Sequence, residues 1–387
     1  MKRGETGRYE ATATGGEQVR AFIPDPLPPV PPLALEGRIQ QTLERALLAL
    51  GRLDGLSTLL PDTGLFLYGY VRKEAVLSSQ IEGTQSSLSD LLLFELDQAP
   101  GVPLDDVVEV SNYVAAMEHG LLRLRGGFPV SSRLIREIHG VLLAEGRGSH
   151  KEPGQFRRTQ NWIGGTRPGN AAFVPPPPHV IAACMSDLER FLHDEDARTP
   201  VVIRAGLAHV QFETIHPFLD GNGRVGRLLV TFLLCQAGVL REPLLYLSLY
   251  LKQNRDEYYR LLDRVRTEGD WESWIEFFLH GVQQSAEGAV STAQRLAAMF
   301  QEDRNRIQEK GRAAGSALRV HDVLKERPVT SLQDVTGRAG LSFPAAASGM
   351  ALLEDLGLAK ELTGKKRNRV FGYSGYLAVL AEGTEAP

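Results

Sequence analysis

Apolar positions along this chain recur mostly at three- and four-residue spacings, and runs that alternate in twos are scarce, so the pattern predicts a mainly helical body. From Leu35 a helical period begins, with Ile39, Leu43, Leu47 and Leu50 on one face; Gly51 and Gly55 weaken it and Pro61 bars its continuation. Further helices are predicted over Phe66 to Glu82, Leu104 to Arg125 and Ser132 to Glu145, the last with a serine as its N-cap. The period resumes over His179 to Leu192, Val201 to Ile215, Arg227 to Ala237, Asp256 to Arg266 and Trp271 to Lys310. Two stretches read differently. Residues 1–34 hold prolines at 24, 26, 28, 29, 31 and 32, which predict an extended, polyproline-like arm. Phe156 to Pro178 sets Trp162, Ile163, Phe173 and Val174 around Gly164, Gly165, Pro168 and Gly169, which predicts a short hairpin or flap.

The pattern changes again at about residue 316. Short helical segments at Ala317 to Lys325, Ser331 to Ala339 and Phe343 to Leu356 precede two strand-like runs, Leu358 to Leu362 and Arg369 to Tyr373. A basic turn of Gly364, Lys365, Lys366, Arg367 and Asn368 joins the runs. Three helices and a hairpin resemble a winged helix-turn-helix. Its recognition segment, Ser342 to Met350, is poor in the side chains that read bases, so a protein-binding or dimer-forming role is favoured over DNA binding there.

At 387 residues the chain is too long for one ordinary core and predicts two or three domains. Its 43% apolar and 23% charged composition is that of a globular protein. A net charge of -4 argues against a chain that coats nucleic acid nonspecifically and leaves room for a local basic patch. Two cysteines, Cys184 and Cys235, build no disulfide framework, and no CxxC pattern exists. The N-terminus lacks a signal-like apolar segment and no apolar run reaches the roughly 20 residues of a membrane span. A soluble, cytoplasmic protein is the expectation.

The chemistry concentrates in His216-Pro-Phe-Leu-Asp-Gly-Asn-Gly-Arg-Val-Gly-Arg227. Gly221 and Gly223 allow close backbone approach ahead of a helix, whose free N–H groups and positive dipole end suit a polyphosphate. Arg224 and Arg227, three apart, can grip phosphate oxygens. Asp220 is the type of single carboxylate that Mg²⁺ uses together with phosphates and water. His216 can take a proton from an attacking hydroxyl. Gly221-x-Gly223-x-x-Gly226 also satisfies a dinucleotide fingerprint, but that fingerprint needs a buried strand before it, and here Glu213-Thr-Ile-His-Pro-Phe stands in that place.

The stretch from His216 to Arg227 matches the Fic motif HxFx(D/E)GNGRxxR at every fixed position. The resemblance implies a mainly α fold: a Fic helical core with a β-hairpin flap, an N-terminal region of residues 1–100, a core of 101–310 and a winged-helix-like tail of 311–387. It implies transfer of AMP from ATP, with Mg²⁺, to a Ser, Thr or Tyr hydroxyl of a target protein and of the chain itself. By the same resemblance His216 is the general base, Phe218 holds the loop and Asp220 holds the metal. Gly221, Asn222, Gly223, Arg224, Val225, Gly226 and Arg227 form the ATP site. The flap at Gln160 to Val174 docks the target, Tyr258 and Tyr259 lie near the adenosine, and Asn254 and Gln211 are further contacts.

Ser78-Ser-Gln-Ile-Glu82-Gly83 places Ser78 and Glu82 on one helical face, with Gly83 as a stop. Beside the later motif it resembles the Fic inhibitory pattern (S/T)xxxE(G/N). That implies that Glu82 pairs with Arg227 and keeps the γ-phosphate out. Other readings stay open: removal of AMP, another donor, a homodimer, or a DNA-binding regulator whose Fic-like part senses nucleotide without turnover.

Overall fold

A computed structural model describes residues 2–59, 63–96, 103–194, 199–365 and 367–385 of the chain. Pro61, Lys366 and the domain boundary expected at 100 lie outside the described residues. The N-terminal stretch corrects the sequence reading, because its first half is a β-hairpin. Strand β1 (Gly7–Thr14) pairs antiparallel with β2 (Glu17–Pro24), in register from Gly7↔Pro24 to Thr14↔Glu17. Gly15 and Gly16 form the two-residue turn, with φ of 58° and 81°, a geometry that glycine reaches without strain and that matches strand twist. The prolines that follow form an arm laid along the chain's own body. There Gln211 Nε2 donates to the Asp25 carbonyl at 2.9 Å and Ala34 N to Glu272 Oε1 at 3.2 Å.

Helix α1 (Arg38–Leu59) runs through Gly51 and Gly55 without a break. Each glycine costs about 1 kcal/mol relative to alanine, but α1 packs along a long C-terminal helix, and tertiary packing outweighs propensity. Its buried face is Ile39, Thr42, Ala46, Leu50 and Leu53, with Leu47 exposed. The expected stride of four drifts off a 3.6-residue helix by about 80° in eight residues. Helices α2 (Thr63–Ile81) and α3 (Leu88–Phe94) follow. The sequence reading missed α3, although Ser87 and Asp90 form a reciprocal capping box at its start. Next come α4 (Leu104–Arg125) and α5 (Ser132–Leu142), the latter capped by Ser131 and not by the serine after it.

The flap is a single-bridge ladder in which Ile163 and Phe173 exchange backbone hydrogen bonds of 2.8 and 3.1 Å. Strand β2 lies against it, with Phe22 N donating to the Val174 carbonyl at 2.9 Å. Helices α6 (Ile181–Leu192), α7 (Val201–Ile215) and α8 (Asn222–Gln236) come next. Every residue of α7 from Ala205 to Ile215 is buried, so it forms the centre of the bundle. Helix α8 starts five residues before the predicted Arg227, inside the motif itself.

Helices α9 (Ser248–Gln253), α10 (Arg255–Glu268) and α11 (Trp271–Gln308) complete the body. The C-terminal part runs α12 (Ala314–Glu326), β3 (Val329–Ser331), α13 (Leu332–Ala339), α14 (Phe343–Asp355), β4 (Ala359–Glu361), β5 (Val370–Tyr373) and α15 (Ser374–Ala381). The expected three helices and hairpin are present in that order. A third strand makes a sheet of order β3-β5-β4, and α15, also missed by the sequence reading, packs back against α2 and α3. Among the described residues no helix is long and apolar enough to cross a membrane.

Candidate active site

Helix α7 ends at His216, whose left-handed backbone (φ 49°, ψ 59°) turns the chain out of the helix and into the motif loop. A non-glycine residue holds that conformation only when its surroundings enforce it. Arg157 supplies the enforcement. It is almost fully buried, and its Nε donates to the His216 carbonyl at 2.9 Å and its Nη2 to the Pro176 carbonyl at 2.5 Å. Its backbone N–H holds the Pro217 carbonyl at 2.9 Å.

Phe218 pins the loop from below. It is fully buried and stacks on His139, with centroids 3.7 Å apart and planes 5° from parallel. Gly154 N donates to His139 Nδ1 at 2.8 Å, so the ring's proton sits on Nε2 and is donated to the Asp220 carbonyl at 3.1 Å. Burial keeps that ring neutral, with a pKa pushed down to about 4. Asn222 spends its side chain within the loop, accepting from Phe218 N and donating to Phe218 O, both at 2.9 Å. Gly221, at φ 75°, caps α8, and the first amides of that helix have no intrahelical acceptor.

A cavity of about 550 Å³ opens beside this loop. It brings together His216, Gly223, Arg227, Tyr258, Tyr259 and Glu82, with the flap residues Ile163 and Phe173 on one side. The remaining motif residues lie outside its lining. Val225 is buried, Gly226 packs against Glu213, and Arg224 turns inward to Glu109 Oε2 (3.3 Å), with Asp220 Oδ1 3.6 Å away. The Asp220 side chain is 43% exposed and its Oδ1 also accepts from Gly221 N at 2.6 Å. Asn254 and Gln211 lie outside the lining too, their side chains donating to the Tyr250 and Asp25 carbonyls.

Arg227 is held on three points. Its Nε donates to Ser78 Oγ at 2.8 Å, and its Nη2 to Ser78 O at 2.9 Å and Glu82 Oε1 at 2.7 Å. Glu82 stands just past the end of α2, in a turn closed by Gly83 N to Gln80 O at 3.1 Å. Burial pushes the Glu82 carboxyl up, but the Arg227 charge outweighs it and holds the group below the ordinary carboxylate range. His216 is pushed down to about 4, first by burial and then by the Arg157 charge, and its Nδ1 is buried without a hydrogen-bond partner. A neutral imidazole faces the cavity.

Sequence reasoning missed Arg157, His139, His209 and Glu213. His209 Nδ1 donates to the Gly226 carbonyl at 2.9 Å, so its Nε2 accepts from the Tyr258 hydroxyl at 2.8 Å. Glu213 is buried in the cavity wall with Oε1 unpartnered, and burial lifts its pKa to about 7. Both sit in a helix otherwise apolar almost throughout, which was the available signal. Arg157 and His139 leave no comparable signal. Tyr258 is buried, Tyr259 is 41% exposed, and both reach the cavity.

Residues 40–122 match the model of the Fic/DOC family N-terminal region, and residues 129–234 match that of the Fic/DOC family. The chain belongs to the Fic/DOC family. A protein adenylyltransferase Fic from Drosophila yakuba is 32% identical over 249 residues, 62% of this chain and 47% of the relative. The protein of the same name from Drosophila melanogaster is 34% identical over 178 residues, 46% of this chain and 33% of the relative. This Fic chain thus spans less than half the length of those curated relatives. The crystal structure of a Fic family protein from Desulfovibrio desulfuricans shares the fold at a TM-score of 0.58 and 20% identity, covering 89% of this chain and 98% of that one.

Proposed function

We infer that the protein is an adenylyltransferase that moves AMP from ATP to a hydroxyl of a target protein, and that Glu82 holds it in check. One observation carries this reading: a neutral imidazole, the open N-terminus of a helix and a buried arginine meet at one cavity, and a carboxylate occupies the arginine. The curated relatives named as protein adenylyltransferases support the activity.

In this reading the α8 amides and Arg227 hold the triphosphate, and the α-phosphate lies in front of His216. The imidazole takes the proton of the acceptor hydroxyl as its oxygen bonds to the α-phosphorus, and pyrophosphate leaves. Asp220, partly exposed beside the helix N-terminus, fits Mg²⁺ as a single carboxylate ligand completed by phosphates and water. No group of three metal-binding side chains exists among the described residues, in keeping with an ion that arrives with the nucleotide. Tyr258 and Tyr259 are assigned to the nucleoside side of the cavity.

The test is to incubate Glu82→Gly with ATP labelled on the α-phosphate and a cell extract, then identify labelled proteins by mass spectrometry. Label on target or enzyme, absent with His216→Ala, is the expected result. Label that survives His216→Ala, or appears only from ATP labelled on the γ-phosphate, overturns the assignment.

A further inference from the structure

A second hollow of about 320 Å³ adjoins the catalytic cavity and shares Ala172, Phe173, Asp263 and Arg266 with it. Its far wall comes from the N-terminal hairpin, through Tyr9 and the β2 residues Gln18 to Arg20. Alternation along β2 turns Gln18, Arg20 and Phe22 to one side of the hairpin. Three contacts fix that hairpin to the flap. Phe22 N donates to the Val174 carbonyl at 2.9 Å, Arg167 pairs with Glu17 at 2.9 Å, and the Phe22 and Phe173 rings lie 6.2 Å apart. The hollow is therefore built jointly by the flap, the hairpin and α10.

Its charge is unbalanced in one direction. The Arg20 guanidinium lies 4.3 Å from the Tyr9 ring centre and pairs with no carboxylate among the described residues. The Arg266 guanidinium lies 3.9 Å from the Phe173 ring centre, and its buried Nε has no acceptor. Its acidic partner is Asp263, at 3.4 Å and largely exposed. A guanidinium over a ring face keeps N–H donors for a carboxylate. A neutral purine has no use for two such cations, whereas an acidic side chain complements their charge.

We propose that this hollow receives the acceptor protein and that Arg20 and Arg266 select an acidic residue beside the modified hydroxyl. The proposal rests on the adenylyl-transfer reading, since it supplies the acceptor half of that reaction. The hairpin, and not the flap alone, then sets target choice.

The experiment uses two fluorescent peptides, identical around a central Tyr, Ser and Thr but flanked by Glu in one and Lys in the other. Anisotropy with the full-length protein is expected to show the Glu peptide binding about tenfold more tightly, the worth of two partly exposed ion pairs. Arg20→Glu should abolish that preference and leave the KM for ATP unchanged, with circular dichroism confirming the fold. Equal binding of both peptides, or a preference untouched by Arg20→Glu, overturns the proposal. So does a raised KM for ATP in that variant, which would assign the hollow to the nucleoside. Preferential binding with no labelling by Glu82→Gly would sustain the acceptor site and sink the adenylyl-transfer reading instead.

Discussion

Glu82 Oε1 lies over the Cα of Gly223 while it pairs with Arg227 Nη2 at 2.7 Å; a methyl group on Gly223 would meet that oxygen at 2.2 Å. One carboxylate thus covers both the guanidinium and the first turn of α8, where the adenylyl-transfer reading puts the end of the triphosphate. A charge-assisted pair partly open to water is worth roughly 1.5 kcal/mol, about tenfold in affinity. Glu82→Gly should therefore bind ATP about tenfold more tightly by calorimetry. It should also melt at a lower temperature without nucleotide, because Arg227 keeps a buried charge with no carboxylate. Equal ATP affinity in the two proteins refutes competition.

The pH profile reports on His216. With its pKa pushed down to about 4 by burial and the Arg157 charge, the ring is a free base at any higher pH. Transfer by Glu82→Gly should stay flat from about pH 5 upward to neutrality and fall only as the ring protonates below that. An acid limb near the ordinary histidine value would show a water-exposed ring.

Arg157 acts through the loop. Arg157→Met removes its side-chain bonds to the His216 and Pro176 carbonyls. We expect kcat to fall by about 10²-fold, the scale of a 1 Å misplacement, with the KM for ATP nearly constant. The acid limb should move toward higher pH as the nearby positive charge disappears. A change in KM alone would place Arg157 at the nucleotide.

Glu213 gives a stability prediction. Burial raises its pKa to about 7, so below the unfolded value both states hold the proton and nothing is lost. Between about pH 4.5 and 7 the unfolded state ionises while the folded state keeps its proton, so stability falls across that window by on the order of 3 kcal/mol and levels off above it. Glu213→Gln should be more stable than the wild type at pH 8, with the gain shrinking toward pH 4.5. Thermal melts across that range check it, and a pH-independent difference would contradict it.

Gln80 ties the turn that carries Glu82 to the C-terminal segment. Its Nε2 donates to the Thr384 and Ser86 carbonyls, both at 2.9 Å, two residues before Glu82. Gln80→Ala should loosen that turn and raise basal self-labelling a few-fold, less than Glu82→Gly does. Unchanged labelling would mean that the turn holds without the tether.

The sequence reading found most of the body helices, the flap, and the pair Glu82 and Arg227, because periodicity and a motif with many fixed positions are local signals. It read the N-terminal hairpin as an extended arm because six prolines weighed more than the Gly15-Gly16 turn between two strands. It assigned Arg224 to the phosphates, where the fold gives it to Glu109, since only tertiary contact decides which way an arginine on α8 points. Arg157 and His139 stayed hidden for the same reason: what they hold is backbone carbonyl, which carries no residue identity.

Helix α11 links two distant places. Near its start Trp274 Nε1 donates to the Gly206 carbonyl of α7 at 2.9 Å, and near its end Asp303 accepts from the Tyr373 hydroxyl of β5 at 2.6 Å. At about 1.5 Å per residue those anchors stand roughly 44 Å apart on one rod, so a tilt of about 5° at either end swings the other through about 4 Å. One helix thus ties α7, which leads into His216, to the C-terminal sheet.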